Sequence, residues 1–543
     1  MTITMDRARP NTAPTGPRPP AEQLSRRQRT LVLAAMCLAL VLVIAGVSML
    51  AVGLPAIGND LGLSQTGLTW VADAYALTLA ALLLVAGALG DRYGRRGALL
   101  AGIALFGLGS LLSGLADSGA QLIAFRALTG LGGALIMPGT LSTITSVFPP
   151  EERARAVGIW AGFAGAGGTL GMLAAGWMLG TFTWSSVFFV PAAVSALTFV
   201  AILAFVPTTR SESHVGLDPI GTVLSAVSIG GLVLGIIEGP IRGWTAPLTL
   251  GALVAGVVLS AAFVAWELRT DHPLLDPRLF RYRGFAVGSA SLLVLFVALF
   301  GLFLVILQYL QLLQGYSALK SAVSLLPLTF LMIPISTAAA PLSVRYGMKL
   351  VSGAGLALTG AGMVAFATLD AGSGYPALLA AQLILGVGIG LAMTPATNAI
   401  VSSLPAAKQG VASAVNDTTR EIGTALGIAL MGSMFNTGYR HTIDGHLAGL
   451  PADVAGQARE APALALHAAS RLAGGAGADL ADAARAAFTS GMRMSMLIGA
   501  ALLVGAATFV WFWGPDRDQE ALEDVVDGDA AFDALEPMSP SLL

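Results

Sequence analysis

The sequence predicts an all-helical membrane protein made of two related six-helix bundles, with two further helices inserted between them. Hydrophobic residues make up 55% of the 543 residues and charged residues only 11%, whereas a soluble domain carries about 25% charged residues. A chain this apolar cannot cover its own surface, so lipid must cover it. Fourteen long apolar runs and an internal repeat give the number and arrangement of the helices.

Each apolar run can form a membrane-spanning helix, which needs about 20 mostly apolar residues. The polar, proline-rich residues 1–30 precede a run that is too long for a signal peptide and lacks a cleavage site. The predicted spans lie near residues 31–54, 69–89, 98–115, 120–142, 157–179, 187–206, 219–237, 247–265, 286–311, 320–343, 351–369, 376–400, 411–436 and 490–513.

The short loops predict the orientation, because Lys and Arg accumulate in cytoplasmic loops. If the N-terminus is cytoplasmic, the short outside loops contain only Arg242 and Lys320. We therefore expect a multi-pass membrane protein with both termini cytoplasmic. The short cytoplasmic loops then contain Arg92, Arg95, Arg96, Arg153, Arg155, Arg210, Arg269, Arg278, Arg281, Arg283, Arg345, Lys349 and Lys408.

A repeat with an offset near 255 residues relates the two halves of the chain. The turn between spans 2 and 3, residues 87–96, has a weaker copy at 340–349 between spans 10 and 11. Parallel repeats of this kind enclose a central site in many transporters. A second aligned set lies in spans 4 and 12: Arg126, Gly130 and Gly132 correspond to Gln382, Gly386 and Gly388.

These patterns divide the chain into five regions. The C-terminal bundle includes a long external loop, 437–489, in which Ala463–Ala473 and Ala478–Phe488 are predicted to be helices lying over the outer mouth as a passive lid. The acidic tail is predicted to be disordered. The regions are an N-terminal cytoplasmic tail (1–30), an N-terminal six-helix bundle (31–206), an inserted helix pair (207–267), a C-terminal six-helix bundle (268–513) and an acidic cytoplasmic tail (514–543).

Ionisable residues inside the spans are the first candidates for function, since buried charge is costly in a membrane. Asp73 of span 2 and Arg126 of span 4 lie at similar depth, about five or six residues inside the outer ends of their helices. We hypothesise that they share one polar site in the N-terminal bundle. The alternative is an interfacial Asp73 and a structural Arg126 that donates to backbone carbonyls.

Span 13 contains the densest group of charges. Its uninterrupted apolar stretch, Ile422–Phe435, is too short to cross a membrane, so the polar residues before it must enter the hydrocarbon region. Asp417 and Glu421 share a helix face, and Arg420 can neutralise one of them. The remaining carboxylate is a candidate proton carrier. The alternative is an ion-pair cluster that serves only the structure.

The charged turn between spans 2 and 3 predicts a conformational latch at the cytoplasmic surface. Asp91 can pair with a positive group or a helix N-terminus of the same half, in one conformation only. The alternative is a topology signal that only holds the loop inside. Val344 takes the place of Asp91 in the copy, so the predicted latch is one-sided. The residues expected to form the latch are Gly87, Asp91, Arg92, Gly94, Arg95 and Arg96.

Other polar and aromatic residues inside the spans are candidates for the wall of a substrate cavity, although each could instead make an interhelical bond. Span 5 is rich in glycine and is expected at the interface between the bundles, because small residues let membrane helices pack closely. Glu238 is most simply an acid of an outside loop. The cavity candidates are Trp70, Tyr75, Gln308, Gln311, Gln382, Thr394, Asn398 and Asn416.

What the sequence lacks excludes several functions. No glycine precedes Lys320, Lys349 or Lys408, so there is no phosphate-binding Gly-Lys-Ser/Thr loop. With Cys37 as the single cysteine and no His cluster in the spans, we expect no metal site. The net charge of -2 argues against nucleic-acid binding. We therefore expect neither an enzyme nor a cofactor-dependent protein.

Together the motifs resemble the major facilitator superfamily, and more narrowly its fourteen-span drug:proton antiporters, over about residues 30–513. Residues 87–96 match the superfamily's loop motif, and the pattern that begins at Arg126 is similar to a span-4 motif whose arginine is implicated in proton coupling. Three features depart from the family. Its span-1 aspartate corresponds to Gly46, residues 171–176 lack the proline and one glycine of its span-5 motif, and Ser185 replaces the usual Arg after Trp184.

The resemblance implies an exporter of lipophilic, possibly cationic drugs in the bacterial inner (plasma) membrane. It would work by alternating access and confer antibiotic resistance. Its partners would be a small-molecule substrate, protons and the lipid bilayer, with the proton gradient in place of a cofactor and a monomer as the unit. Two alternatives remain: a dedicated exporter of an endogenous antibiotic, lipid or siderophore, and a transport-inactive sensor. Proton coupling is assigned to Asp73, Arg126, Asp417, Arg420 and Glu421.

Overall fold

The computed structural model describes residues 24–63, 65–208, 218–404, 408–472 and 475–515, and most of these are helical. Residues 1–23 and 516–543, which hold most of the two predicted tails, lie outside the described residues. The helices are α1 (Arg26–Leu61), α2 (Gln65–Tyr93), α3 (Arg95–Gly114), α4 (Gly119–Val147), α5 (Pro150–Thr181), α6 (Ser186–Phe205), α7 (Pro219–Arg242), α8 (Pro247–Glu267), α9 (Arg283–Gln308), α10 (Ala318–Ser324), α11 (Leu326–Tyr346), α12 (Met348–Ala367), α13 (Tyr375–Ser402), α14 (Gln409–Ile443), α15 (Ala452–Glu460), α16 (Pro462–Arg471) and α17 (Gly475–Trp513).

Thirteen helical segments of the described chain are long and apolar enough to cross a membrane: α1 to α9, α10 with α11, α12, α13 and α17. The predicted span 13 is α14, whose 35 residues reach about 50 Å at 1.5 Å per residue. Its charged residues lower its hydropathy, yet packed helices surround it. The predicted all-helical membrane fold is confirmed.

The two bundles repeat the same helix pairings. In the N-terminal bundle α2 packs on α4, α3 packs on α4 and α6, and α1 packs on α5. In the C-terminal bundle α11 packs on α13, α12 packs on α13 and α17, and α9 packs on α14. The repeated glycines explain one of these pairings. A Cβ on Gly132 would overlap the backbone of Phe106, and a Cβ on Gly388 would overlap the backbone of Thr359. Both glycines therefore permit the close crossing of the third and fourth helices of their bundle.

The bundles meet along two helix pairs, α2 with α14 and α5 with α11. Small residues let these pairs approach closely. A Cβ on Gly87 would overlap the carbonyl oxygen of Gly410, and one on Gly158 would lie 2.7 Å from the carbonyl oxygen of Ser336. The glycine-rich α5 thus lies at the interface between the bundles.

We call the face at which α1 begins and α17 ends the terminal face, and the opposite face the distal face. On the terminal face, Arg29 pairs with Glu152 at the start of α5 at 3.2 Å. Gly514, just after α17, lies beside Lys349 at the start of α12. The ends of α2 and α11 lie at this face as well, so the repeated charged turns share it.

The inserted helices α7 and α8 pack on each other through Gly231 and Gly256 and attach to the first bundle through α2. A Cβ on Gly230 would lie 3.4 Å from the Cβ of Ala81, which marks this contact. The outer side of α8 exposes Val254 and Val257 among other apolar residues. Lipid therefore covers most of α8, as the hydropathy predicts.

The prediction for the external loop 437–489 is partly wrong. α14 continues to Ile443, and the predicted second helix, Ala478–Phe488, is the first part of the continuous α17. The physical reason is an apolar stripe on α17 that packs against the extension of α14, with the rings of Phe435 and Phe488 4.9 Å apart. The remaining connection holds α15 and α16, and Tyr439 Oη donates to the carbonyl oxygen of Ala458 at 2.6 Å.

Candidate functional site

Asp91 anchors a contact between the bundles at the terminal face. Its buried carboxylate accepts hydrogen bonds from the backbone N–H groups of Gly410, at 2.8 Å, and Val411, at 3.2 Å. Arg95 pairs with the same carboxylate at 2.9 Å. The first N–H groups of a helix lack intrahelical partners and carry partial positive charge, so a carboxylate fits there. We call Asp91, Arg95, Gly410 and Val411 the latch.

The predicted partner of Asp91 is partly wrong. Arg95 does belong to the same half, but the helix N-terminus is that of α14 in the other half, 319 residues away. The reason is the packing of α2 on α14, which brings Gly87 against Gly410 one turn from Asp91. Val344, in the copy of the turn, is 71% exposed and offers no second carboxylate.

The other predicted latch residues shape the turn around Asp91. Gly94 has φ of 107° between α2 and α3, a backbone conformation that favours glycine. Arg96 donates to the carbonyl oxygen of Leu203 at 2.7 Å, which ties the turn to α6. Arg92 is exposed, with its guanidinium 5.5 Å from the ring of Tyr93.

α14 brings four polar residues into the interior, and we call Asn416, Asp417, Arg420 and Glu421 the central cluster. Asp417 is fully buried and accepts from Asn416 Nδ2 at 3.1 Å and Arg420 at 3.4 Å, both at Oδ1. Among the described residues, no group donates to Asp417 Oδ2. Glu421 is half-buried although it is the thirteenth residue of α14, about 18 Å from the start of the helix.

Two aromatic rings from different bundles hold Arg420. Its guanidinium lies 5.4 Å from the ring of Trp160 on α5 and 4.7 Å from that of Phe296 on α9. Trp160 is fully buried and donates to Thr140 Oγ1 at 3.1 Å. A desolvated cation–π contact contributes about 2 kcal/mol. Sequence reasoning missed both aromatic residues; the one available signal was a tryptophan, Trp160, within the glycine-rich part of α5.

Arg126 is buried on α4 and makes its contacts with α2. Its Nε donates to the carbonyl oxygen of Val71 at 3.2 Å, and its guanidinium lies 4.4 Å from the ring of Tyr75. Tyr75 Oη in turn donates to the carbonyl oxygen of Val43 at 3.2 Å. Glu421 lies within electrostatic range of Tyr75. Tyr75 therefore stands between the arginine of the first bundle and the central cluster of the second.

The predicted shared site of Asp73 and Arg126 is wrong in its geometry. Within the described residues no ion pair joins the two side chains, and Arg126 donates to a backbone carbonyl, as the alternative reading held. Val71 and Tyr75 are four residues apart and face α4, whereas Asp73, two residues further along from Val71, points roughly 200° away around the helix. Asp73 is half-buried and lies within electrostatic range of Glu238 on α7.

Glu238 is likewise not the loop acid that the sequence suggests. It lies within α7, is 3% exposed, and pairs with Arg242 one turn later. The inserted helix α7 therefore brings a buried acid towards Asp73 of the first bundle. An uninterrupted helix through Gly239 and Pro240 was the feature that the sequence did not reveal.

Several cavity candidates make interhelical or local bonds instead. Gln382 donates to the carbonyl oxygen of Ser324 at 2.9 Å, and Thr394 donates to that of Ser336 at 3.0 Å. Gln308 donates to the carbonyl oxygen of Leu304 in its own helix at 3.1 Å. The others differ in exposure: Gln311 is exposed, whereas Trp70 and Asn398 are half-buried.

The position of the missing span-1 acid is filled by packing. A Cβ on Gly46 would lie 3.4 Å from the ring of Phe106. The Phe106 ring stands edge-on to Tyr75, with 6.5 Å between ring centroids. A side chain at position 46 would therefore lie against the Phe106 ring, which itself contacts Tyr75.

Comparison with known proteins agrees with this architecture. A family model described as Major Facilitator Superfamily matches residues 36–428. The chain is 34% identical over 479 residues to the multidrug efflux pump LfrA of Mycolicibacterium smegmatis, an alignment that covers 88% of this chain and 95% of that protein. It is 32% identical over 486 residues to the tetracenomycin C resistance and export protein of Streptomyces glaucescens, covering 88% and 90% of the two chains.

Solved structures share the fold. The proton:xylose symporter XylE has a TM-score of 0.59 at 14% sequence identity, over 92% of this chain and 100% of that one. The human organic anion transporter MFSD10 also has a TM-score of 0.59, at 13% identity, over 89% and 99% of the two chains.

Proposed function

Because the chain belongs to the major facilitator superfamily, we propose that it is a proton-coupled exporter of lipophilic compounds, including cations. It is a multi-pass membrane protein of a transporter family and not an enzyme. Relatives named for multidrug efflux and for antibiotic export support the direction of transport. We further propose a monomer in a bacterial plasma membrane with the terminal face in the cytoplasm, which the Lys and Arg bias of the loops supports.

The observation that carries this proposal is the central cluster. Asp417 and Glu421 bring two carboxylates and Arg420 one cation into an apolar bundle, and one oxygen of Asp417 has no donor among the described residues. An excess negative charge in such surroundings binds either a proton or a cationic ligand. Competition between the two for one charge produces exchange, since the substrate leaves when a proton takes its place.

Tyr75 and Arg126 extend this site across the bundle interface. An ionised Glu421 attracts the Arg126 guanidinium behind Tyr75, whereas a protonated Glu421 does not. Proton binding on one bundle therefore changes its attraction to the other, as alternating access requires. The closed latch at the terminal face corresponds to the state that receives protons from the distal side.

The proton gradient supplies enough energy without a cofactor. One charge crossing about 100 mV releases roughly 2.3 kcal/mol, and a pH step of one unit adds about 1.4 kcal/mol. Since about 1.4 kcal/mol corresponds to a factor of ten, one proton per cycle sustains roughly a several-hundred-fold gradient of an uncharged substrate. Exchange of one proton for one monovalent cation moves no net charge, so there the pH step alone sustains about a tenfold gradient.

Purified protein in proteoliposomes tests the proposal. With an imposed pH gradient, a fluorescent lipophilic cation should accumulate on the acidic side. Its movement should be accompanied by protons that cross from the acidic to the alkaline side. Asp417→Asn and Glu421→Gln should each abolish the proton flux. Asp482→Asn is the matched control, because the Asp482 side chain is 79% exposed and pairs with Arg485, three residues further along the same helix. Substrate flux that persists in both central variants without proton movement would reject the mechanism.

A dedicated exporter of an endogenous product is the second candidate, and the similarity to a tetracenomycin C exporter favours it. Growth of an expressing strain on a panel of lipophilic cations and polyketide antibiotics separates the two. Protection against many unrelated cations supports the multidrug exporter, whereas protection confined to one chemical class supports the dedicated one. A transport-inactive sensor would show neither protection nor flux.

A further inference from the structure

The inserted helix pair carries two buried carboxylates at the terminal face, remote from the central cluster. Asp218 caps α7 and accepts from Gly221 N at 2.8 Å and from Trp266 Nε1 at 2.9 Å. Glu267 is the last residue of α8, is 1% exposed, and accepts from Leu275 N at 3.2 Å through Oε2. Among the described residues, no group donates to Glu267 Oε1, which is shielded from solvent.

The two carboxylates face each other across Gly221. A Cβ on Gly221 would overlap both Asp218 Oδ2 and Glu267 Oε1, so both oxygens border one small volume. Like charges that border one small apolar volume repel each other, which disfavours the state in which both carboxylates are ionised. A proton held between them supplies the hydrogen bond that Glu267 Oε1 otherwise lacks.

This pair lies next to the latch. Asp218, Asp91, Arg92 and Lys408 all line one cavity of about 320 Å³ between α2, α7 and the start of α14. Lys408 is the residue immediately before α14. Burial lowers the pKa of the Lys408 ammonium, and the carboxylates of Asp276, Glu267 and Asp91 oppose that effect.

We propose that Asp218 and Glu267 form a proton-binding site that controls how firmly the latch closes. With one proton the pair carries a single negative charge, which faces Lys408. Asp276 nearby has Arg278 3.9 Å away as its own counter-ion. Loss of the proton adds a second negative charge beside the cavity that Asp91 also lines. The added charge repels Asp91 and draws Lys408 away from the start of α14.

The site therefore holds the latch closed when the terminal face is acidic and loosens it when that face is alkaline. If that face is cytoplasmic, which rests on the proposed function, the exporter stays latched while the cytoplasm is acid. That behaviour limits further proton entry through the exporter. The inserted helices thus gain a role of their own, distinct from that of the central cluster.

Pulsed electron paramagnetic resonance on the full chain in nanodiscs tests this proposal. Spin labels replace the exposed Tyr93 and Tyr346, which end α2 and α11 in different bundles, and Cys37→Ala prevents stray labelling. The background also carries Asp417→Asn and Glu421→Gln, so that titration of the central cluster does not contribute. In this background the fraction of short distances should fall as the pH rises from about 5 to 9.

Variants of the pair give the decisive comparison. Glu267→Gln should keep the short distance at every pH. Trp266→Phe removes a hydrogen bond to the Asp218 carboxylate, so it should raise the midpoint by about one pH unit. Glu152→Gln, an acid of the same face paired with Arg29, should behave like the parent. The proposal would be overturned if the distance distribution of the parent did not change with pH. It would also be overturned if Glu267→Gln and Trp266→Phe kept the parental midpoint. If Glu267→Gln does not fold, the Trp266→Phe midpoint alone decides.

Discussion

Replacing Asp91 by asparagine should open the terminal face while leaving the bundles intact. Asparagine has the shape of aspartate, but its amide carries one acceptor oxygen and one donor group in place of two acceptors. In the wild-type protein Gly410 N and Val411 N both donate to Oδ2, at 2.8 and 3.2 Å, and Arg95 donates to Oδ1. With the asparagine oxygen in the place of Oδ2, the NH2 group faces the Arg95 guanidinium donor to donor, and the remaining bonds to α14 are to a neutral acceptor. Arg95, 4% exposed, also loses its counter-charge.

The size of the effect follows from these contacts. A hydrogen bond to a charged group contributes about 1.5–3 kcal/mol, and a carboxylate at a helix N-terminus gains about 0.3–1 kcal/mol from the dipole. The contacts with α14 exist only while the bundles touch at the terminal face, so their loss acts on the closed state alone. We expect a destabilisation of about 2–4 kcal/mol, which shifts the ratio of closed to open molecules by roughly 30- to 700-fold.

Distance distributions between labels at Tyr93 and Tyr346 measure this ratio directly. Asp60→Asn is the matched control, because Asp60 is an acid at the distal end of α1 whose Oδ2 accepts from Trp184 Nε1 at 2.7 Å. Gly410→Ala should act in the same direction as Asp91→Asn, since its Cβ would overlap the Asp91 carboxylate. A change of less than twofold in Asp91→Asn, with normal folding, would refute the assignment of the latch.

Three further predictions concern other parts of the molecule. Arg420→Lys keeps the charge but loses the planar contact of the guanidinium with Trp160 and Phe296, so proton-coupled flux should fall at least tenfold while the melting temperature changes little. Unchanged flux would count against a role for the contact of Arg420 with these two rings. Gly132→Ala and Gly388→Ala each force a Cβ into a neighbouring backbone, so both should lower the free energy of unfolding by about 1–3 kcal/mol, measured by thermal unfolding in detergent. A strong effect from only one of the two would show that these repeated glycines do not have the same structural role. Tyr439→Phe removes the hydrogen bond to the carbonyl oxygen of Ala458. Limited proteolysis should then cut the segment between α14 and α17 faster, while efflux stays constant. Loss of efflux would mean that this segment is a gate and not a passive lid.

The sequence predicts the helices well because membrane burial imposes a simple rule on composition. It fails where a helix leaves the apolar region: the start of α17 is alanine-rich and amphipathic, so the sequence predicts a separate helix, Ala478–Phe488, and not the continuation of the last span. Depth along a helix could also be counted, which placed Asp73 and Arg126 at one height. The direction in which each side chain points around its helix could not be counted from the sequence. That direction separates Asp73 from Arg126, because Val71 and Tyr75 occupy the face of α2 towards α4.

The latch shows a second limit of sequence reasoning. Residues 87–96 indicate that Asp91 needs a positive partner, and Arg95 follows from the spacing alone. No local pattern shows that α14 also supplies its first N–H groups, because that contact depends on how two bundles dock. The same holds for Trp160 and Phe296, which meet Arg420 from two bundles.

The repeat separates residues that build the fold from those that carry charge. Gly423 and Gly427 of α14 pack on α9 as Gly167 and Gly171 of α5 pack on α1, with the same offset of 256 residues. Equivalent glycines thus hold equivalent helix pairs together.

At that offset the charged residues have no charged counterpart. Ala164 and Gly165 in the first bundle correspond to Arg420 and Glu421, while Gln382 in the second corresponds to Arg126. The first bundle therefore contributes the buried Arg126 and the second a cluster with excess negative charge. Tyr75 contacts Arg126 and lies within electrostatic range of Glu421. A symmetric pair of charged bundles would repel like charges across the interface, whereas in the proposed mechanism Glu421 attracts Arg126 until a proton or a cation neutralises it. Duplication explains the shared scaffold, and under that proposal the loss of symmetry at these few positions makes the attraction between the bundles depend on what the site binds.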